Sequence, residues 1–219
     1  MSEKTNVQDL ISGLRHDFSR DEVAELSAAS APFEQFELWL AEAVDKKLHD
    51  PNAMVLSTST KDGRPSSRVV LLKGFDETGF VFYTNYDSRK AAEIAANPHA
   101  ALLFYWAETG KQVRIEGTIL KVSPEMSDAY FASRPRASRL GAVASPQSRV
   151  IENREVLEQK YAELDREYRE REIERPANWG GYVVEPEVFE FWQGRESRLH
   201  DRLRYTKAES GWLVERLAP

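Results

Sequence analysis

The chain has 219 residues, 41% of them hydrophobic and 11% aromatic, which is enough for one substantial globular core or two small ones. Its formal net charge of −6 argues against a general role in binding nucleic acids or anionic membranes, so cations with a function must be clustered locally. The absence of cysteine excludes disulfides, thiolate metal sites and a cysteine nucleophile, and the four widely spaced histidines argue against a histidine-rich metal site.

The N-terminal sequence predicts neither a secretory signal nor a membrane anchor. Residues 1–9 are mostly polar, and no apolar run of the chain approaches the ~20 residues that a membrane-spanning helix needs. We therefore expect a cytoplasmic protein. Residues 1–30 are expected to form a flexible N-terminal arm, and residues 31–219 a single domain.

Apolar side chains recur at helical spacing after Pro32, which predicts an amphipathic helix that begins at Pro32. The pair Asp50-Pro51 ends this predicted helix. Beyond it, short strands are predicted over residues 54–60, 66–73, 79–84, 99–106, 111–122, 181–191, 198–206 and 212–217. Helices are predicted over residues 88–96, 124–133 and 150–172. Many short strands interrupted by helices are typical of an α+β protein built on a small barrel.

Three cation-capable residues, Arg198, His200 and Arg202, share one parity in the predicted strand over residues 198–206. Alternation along a strand would place them on one face, in a stripe about 13 Å long at ~3.3 Å per residue. Such a stripe is costly unless an anion lies against it. It predicts contacts with two neighbouring anionic ligands, or equally a solvated basic edge strand.

Two cations fall in the first turn of the predicted helix over residues 88–96. Arg89 and Lys90 follow Tyr83 and Thr84 of the preceding strand, with Asp87 or Ser88 as the N-cap. Cations at this end oppose the helix dipole at a cost of ~0.3–1 kcal/mol each. A phosphate bound at the same helix end would make these cations favourable, because they would then contact an anion. The junction predicts a phosphate site or an ordinary helix start with solvated cations.

A second set of residues suits a phosphate monoester. Tyr130 and Arg134 are four residues apart on a predicted helix, and Ser138 follows after Pro135 has ended that helix. Residues 68–73 bracket four apolar side chains with two cations of opposite strand parity, so either a bulge re-aims one cation or the two contact different parts of a ligand. A plain barrel strand is the alternative.

Neutral hydrogen-bonding side chains complete the candidate site. Gln112 and the pair Gln147 and Ser148 are of the kind that read the edge of a heterocycle. The sequence contains no glycine-rich dinucleotide fingerprint, P-loop or Gly-x-Ser-x-Gly elbow.

Taken in order, these segments resemble the pyridoxine/pyridoxamine 5′-phosphate oxidase family from about Pro32 to the end of the chain. The segments that carry the resemblance are residues 68–73, 82–85, 88–90, 112–114, 133–136, 179–181, 191–194 and 198–202. The resemblance implies an α+β fold, an FMN-binding split β-barrel with flanking helices, which forms a homodimer with FMN at the subunit interface.

The resemblance also implies a role for individual residues. The cofactor FMN would be held by Arg68, Val69, Val70, Leu71, Leu72, Lys73, Tyr83, Thr84, Arg89, Lys90, Gln112, Gln147, Ser148, Trp192 and Arg202. The substrate phosphate would be held by Lys73, Tyr130, Arg134 and Ser138, with Arg198 and His200 as the catalytic pair over the pyridine ring and Arg15 of the arm as a further substrate-binding residue. No metal is implied.

The activity implied by the resemblance is oxidation of pyridoxine or pyridoxamine 5′-phosphate to pyridoxal 5′-phosphate. Dioxygen would be the acceptor, hydrogen peroxide a product, and ammonia a further product from the amine. Another flavin enzyme on the same barrel and a non-catalytic carrier of FMN or pyridoxal phosphate are the alternatives. Three positions depart from the family pattern: Phe18 in the arm, Val143, and Pro146 before Gln147.

Overall fold

Five α-helices and nine strands lie within residues 31–219, the part of the chain that the computed structural model describes. The helices are α1 (Pro32–Asp45), α2 (Arg89–Ala96), α3 (Pro124–Ser133), α4 (Arg136–Ala144) and α5 (Arg154–Glu167). The strands are β1 (Ala53–Ser59), β2 (Pro65–Leu71), β3 (Gly74–Asp76), β4 (Gly79–Asn85), β5 (His99–Trp106), β6 (Lys111–Lys121), β7 (Trp179–Gln193), β8 (Asp201–Lys207) and β9 (Trp212–Arg216). The predicted arm over residues 1–30, with Arg15 and Phe18, lies outside the described residues, and the division into arm and domain stays a prediction.

All the strand pairs are antiparallel, and the sheet branches at β7. The main path runs β2-β1-β5-β6-β7-β4-β3, while β8 pairs with β7 and β9 pairs with β8. The first residues of the 15-residue strand β7 pair with β4 and its last residues pair with β8, so β7 joins two halves of a curled sheet. This arrangement confirms the predicted α+β split β-barrel.

The pairing of β6 with β7 shifts between Glu116 and Gly117, which pair with Val188 and Pro186, so Glu187 is an extra residue that forms a bulge in β7. The position requires glycine, because a Cβ on Gly117 would lie 2.0 Å from the backbone oxygen of Glu185. Close approach of the two backbones at this point therefore depends on the missing side chain.

The interior of the sheet is an aromatic core. Phe36 of α1 makes edge-to-face contacts with Phe80 and Phe104, at centroid distances of 4.9 and 5.0 Å. A second buried cluster, made of Phe131, Leu140, Leu164, Ile173 and Trp179, joins α3, α4 and α5 to the start of β7. This second cluster holds the helices beside β4 and β7, which is where the candidate site lies.

Several predicted bounds are confirmed, and others are wrong. Strand β5 has the predicted bounds, and Ser88 is the N-cap of α2, where its side chain accepts a hydrogen bond from the backbone of Ala91. The predicted helix over 150–172 is shorter, because Asn153 caps α5 at its N-terminus. Strand β3 and helix α4 were not predicted.

The predicted strand over residues 198–206 is wrong at its start. Ser197 and Arg198 have φ values of 56° and 60°, so they form a tight turn, and β8 begins only at Asp201. Arg198 therefore does not share a strand face with His200 and Arg202, and the predicted basic stripe does not form.

Within the described residues no helix combines the length and apolar character needed to span a membrane. The cytoplasmic location stays a prediction.

Candidate functional site

A cavity of about 520 Å³ opens between β2, β4 and the α3–α4 junction. It gathers most of the predicted site residues, and Pro135 and Trp179 are the lining residues to which the sequence analysis gave no role in the site. The lining residues are Arg68, Val69, Val70, Leu71, Lys73, Tyr83, Thr84, Lys90, Tyr130, Arg134, Pro135, Ser138, Gln147 and Trp179.

The sequence left open how two cations of opposite strand parity, Arg68 and Lys73, could contact one ligand. Strand β2 ends at Leu71, so strand alternation does not determine the direction of Lys73. Lys73 lies beyond the strand, where its backbone N–H donates to Val81 at 2.8 Å, so Arg68 and Lys73 both reach the cavity without a bulge in β2. Arg68 is fixed from behind, because its Nη1 donates to the carbonyl of Leu56 at 3.1 Å and to Thr58 at 2.7 Å.

Lys90 is a buried cation whose hydrogen-bond partners within residues 31–219 are neutral oxygens. Its Nζ donates to Thr84 Oγ1 and to Gln147 Oε1, each at 2.9 Å. Burial, and then the charge of Arg68, lower the pKa of Lys90 to about 8. A phosphate in the cavity would offset both effects, so this end of the cavity suits an anion.

Arg134 ends α3 because residue 135 is proline, and its backbone is extended at φ −73° and ψ 147°. The guanidinium carbon lies 4.7 Å from the centroid of the Trp179 ring and 5.8 Å from that of Phe131. Among the described residues its buried Nη1 finds no hydrogen-bond partner, and burial lowers the pKa of Arg134. A buried, unsatisfied cationic donor beside a cavity indicates an anionic ligand.

Three aromatic rings stand parallel in the cavity wall. Tyr83 and Tyr130 stack with centroids 3.9 Å apart and an interplanar angle of 15°, and Trp179 lies 5.7 Å from Tyr83 at 10°. The prediction that Tyr130 and Arg134 share a helix face is wrong, because α3 ends at Ser133, yet the two side chains line the same cavity.

A second group of predicted residues lies away from this cavity. Gln112, Trp192 and Arg202 are directly opposed across β6, β7 and β8, so they form one row on the sheet face opposite the core. We call these three residues the outer row. Arg202 is held in place by Glu190, whose carboxylate accepts from its Nε at 2.9 Å, and by the carbonyl of Ala218 at 2.8 Å.

His200 lies next to the outer row, with its ring centroid 4.7 Å from that of Trp192. The backbone N–H of Arg195 donates to its Nδ1 at 3.1 Å, which places the proton of the neutral imidazole on Nε2. Burial, and then the charge of Arg198, lower the pKa of His200. The neutral ring is therefore the favoured form near neutral pH.

Three predicted residues adjoin the cavity without lining it. Leu72 is buried in the core, Arg89 pairs with Glu93 at 2.9 Å, and Ser148 follows Gln147 in the loop after α4, with φ 70°. Within residues 31–219 no group of three or more histidine or acidic side chains is arranged to hold a metal ion.

The sequence model described as pyridoxamine 5′-phosphate oxidase matches residues 40–166, which contain most of the cavity. A second model, described as pyridoxine 5′-phosphate oxidase C-terminal dimerisation region, matches residues 179–219, which contain Trp192, Arg198, His200 and Arg202. The two matched regions thus divide the predicted residues much as the structure does.

Curated relatives match almost the whole chain. The pyridoxine/pyridoxamine 5′-phosphate oxidase of Rubrobacter xylanophilus is 58% identical over 209 residues, which are 95% of this chain and 96% of that protein. The protein of the same name from Acaryochloris marina is 51% identical over 212 residues, 97% of each chain.

Solved structures show the same fold. PhzG from Burkholderia lata 383, in complex with tetrahydrophenazine-1-carboxylic acid, is 35% identical with a TM-score of 0.84, covering 88% of this chain and 95% of that one. A pyridoxamine 5′-phosphate oxidase-related, FMN-binding protein from Nostoc punctiforme is 21% identical, with a TM-score of 0.69 over 86% of this chain and 98% of that one.

Proposed function

Because the chain belongs to the pyridoxine/pyridoxamine 5′-phosphate oxidase family, a family of oxidoreductases, we propose that it is an FMN-dependent oxidase of pyridoxine and pyridoxamine 5′-phosphates. The observation that carries this proposal is the cavity, which is lined by four cationic side chains and by parallel aromatic rings. FMN and either substrate each combine a phosphate with a flat ring. Two phosphates and two rings match what the cavity offers.

The phosphate of FMN fits the end of the cavity that holds Arg68 and Lys90. Thr84 and Gln147 bond to Lys90 and supply neutral hydrogen-bonding groups at the same end. Strand β2 is an edge strand of the described sheet, so the backbone of Val69 and Leu71 is available to a planar ring. When bound, FMN would supply the two-electron acceptor, which dioxygen would reoxidise with release of hydrogen peroxide.

The phosphate of the substrate fits the other end, at the α3–α4 junction. The unsatisfied Nη1 of Arg134 would donate to it, and Tyr130, Ser138 and Lys73 line the same cavity. Arginine supplies a forked pair of donors that matches phosphate oxygens, and the stack on Trp179 fixes its plane. Specificity for phosphorylated substrates follows from this arrangement.

A second copy of the chain would complete the site. Strand pairing places Val69 and Tyr105 on the same sheet face as the outer row, and they are 66% and 58% exposed. We infer that this face packs against its equivalent in a homodimer, so that one copy's outer row, Arg198 and His200 reach the partner's cavity. Exposed apolar side chains beside an open cavity, and the matched dimerisation region, support this inference.

His200 and Arg198 would orient and polarise the pyridine ring. His200 holds its proton at Nε2, since Nδ1 already accepts from Arg195, so the imidazole can donate a hydrogen bond at that atom. Arg198 contributes a fixed positive charge from the turn before β8. Neither residue needs to act as a general base in this account.

Aerobic turnover tests the proposal. Protein loaded with FMN is mixed with pyridoxamine or pyridoxine 5′-phosphate, and pyridoxal 5′-phosphate, hydrogen peroxide and ammonia are followed together. We expect aldehyde and peroxide in equal amounts from both substrates, and ammonia from the amine alone. Bound FMN with no product from either substrate would refute the proposal. The unphosphorylated vitamers serve as controls, and we expect them to react poorly because Arg134 then has no anion to bind.

A further inference from the structure

A buried carboxylate, for which no role has been predicted, lies beside Arg68 at the edge of the cavity. Glu93 of α2 has a side chain that is only 5% exposed. Its Oε2 accepts from Thr58 at 2.5 Å, from Ser66 at 2.6 Å and from Arg68 at 3.3 Å. Its Oε1 accepts from Nε of Arg89 at 2.9 Å. One carboxylate therefore contacts two arginines that flank the proposed FMN phosphate site.

The contacts around Arg68 form a closed network. Thr58 and Ser66 each accept a hydrogen bond from this guanidinium and donate one to Glu93. With the Leu56 carbonyl and Glu93 itself, these partners engage both terminal nitrogens of the guanidinium. The Nε–H remains as the further donor. Such a network fixes the plane of the guanidinium before any ligand arrives, which lowers the entropy lost on binding.

We propose that Glu93 is a positioning residue, which holds Arg68 and Arg89 in the arrangement that binds the phosphate of FMN. The proposal rests on the FMN-binding function proposed above. A simpler role for Glu93 would be to offset the positive charge of the two arginines. The two roles predict opposite results, because removing a charge-offsetting carboxylate strengthens anion binding, whereas removing a positioning carboxylate weakens it.

The ionisation of Glu93 suits a fixed structural role. Burial raises the pKa of this carboxyl, but hydrogen bonds from Ser66, Thr58 and Arg89 outweigh burial and bring it to about 2. Glu93 is therefore ionised across the working pH range. Replacing it should change FMN affinity by the same factor at pH 6 and at pH 7.5.

The test is a fluorescence titration of the purified apoprotein with FMN and, separately, with riboflavin, which lacks the phosphate. Glu93→Gln keeps the side-chain shape and removes the charge. We expect its Kd for FMN to rise about tenfold, with little change in the Kd for riboflavin and little change in kcat at saturating FMN. The control is Glu158→Gln, because Glu158 forms a pair with Arg154 at the same i, i+4 spacing but on an exposed helix surface.

Ser66→Ala is a milder variant in case Glu93→Gln does not fold. It removes one link between Arg68 and Glu93, and we expect a Kd for FMN about threefold higher than that of the wild type. Unchanged or tighter FMN binding in the folded variants would overturn the positioning role. Equal losses for FMN and riboflavin would also overturn it, since they would indicate general damage to the cavity. A wild-type protein that binds no FMN would overturn both this proposal and the proposed function.

Discussion

The guanidinium of Arg134 stacks on the indole of Trp179, with its carbon 4.7 Å from the ring centroid, while its buried Nη1 finds no acceptor among residues 31–219. The stack covers one face of the guanidinium and leaves its edge as the part that can bind a ligand. Desolvation of this cation is unfavourable until an anion arrives. This geometry supports the proposal that Arg134 binds the substrate phosphate.

Replacing Arg134 should therefore weaken binding of the substrate phosphate. We expect Arg134→Ala to lose about 1.5–3 kcal/mol of binding free energy, which raises KM about 10- to 150-fold. Arg134→Lys should recover only part of the loss, since lysine keeps the charge without the fork or the stack. The measurement is steady-state kinetics with pyridoxamine 5′-phosphate. Arg136→Ala is the control, because Arg136 pairs with Asp165 and does not line the cavity. An unchanged KM for Arg134→Ala would contradict the phosphate assignment.

FMN affinity should fall as the pH rises above about 8. The pKa of Lys90 is about 8, so the ammonium is present below that pH and is lost above it. The phosphate favours the protonated form, so binding is coupled to proton uptake and the Kd rises by up to about tenfold per pH unit above the pKa. Fluorescence titrations between pH 7 and 9.5 measure this slope. Lys90→Arg, which stays charged, should give a flat profile, and a flat profile in the wild type would count against a role for Lys90.

Replacement of glycine by alanine should have opposite effects on the stability of the fold at Gly117 and at Gly141. We expect Gly117→Ala to destabilise the fold by about 2–4 kcal/mol, because its Cβ would lie 2.0 Å from the Glu185 oxygen and neither backbone can move freely. Gly141→Ala in α4 has no atom within 4 Å of the added Cβ and should stabilise the fold by up to about 1 kcal/mol. Urea unfolding midpoints compare the two. Equal midpoints would mean that the bulge in β7 relaxes.

Local signals predicted much of the fold. The bounds of β5 follow from its apolar run, which lies between Asn97-Pro98 and the turn residues 108–110, and the start of α2 follows from the N-cap residue Ser88. The predicted strand face of Arg198 was wrong, because Ser197 and Arg198 have positive φ and form a turn. Neither residue is glycine, so residue type did not indicate this turn. Helix α4 was missed because it follows directly on Pro135, which usually marks the end of a helix, and because Leu140 is its one buried residue.

The sequence predicted only part of the candidate site. Residue type and resemblance identified the cations that line the cavity, but burial could not be seen from the sequence. Glu93 stands four residues after Arg89, a spacing that usually indicates a solvated surface pair. It is buried only because β1 and β2 bring Thr58 and Ser66 against it. Trp179 likewise reaches the cavity through the pairing of β7 with β4.

The most direct test of this account asks whether one active site is built from two copies of the chain. Arg134 lines the cavity of one copy, and Arg202 would reach that cavity from the partner. In a mixed dimer of Arg134→Ala and Arg202→Ala chains, one site would carry both changes and the other site neither. Random pairing would leave about a quarter of all sites intact.

Oxidase activity of the co-expressed variants is measured at low FMN and low pyridoxamine 5′-phosphate, beside each variant alone. We predict weak activity from either variant alone and about a quarter of the wild-type activity from the mixture. A mixture no more active than the average of the two variants would contradict the shared site.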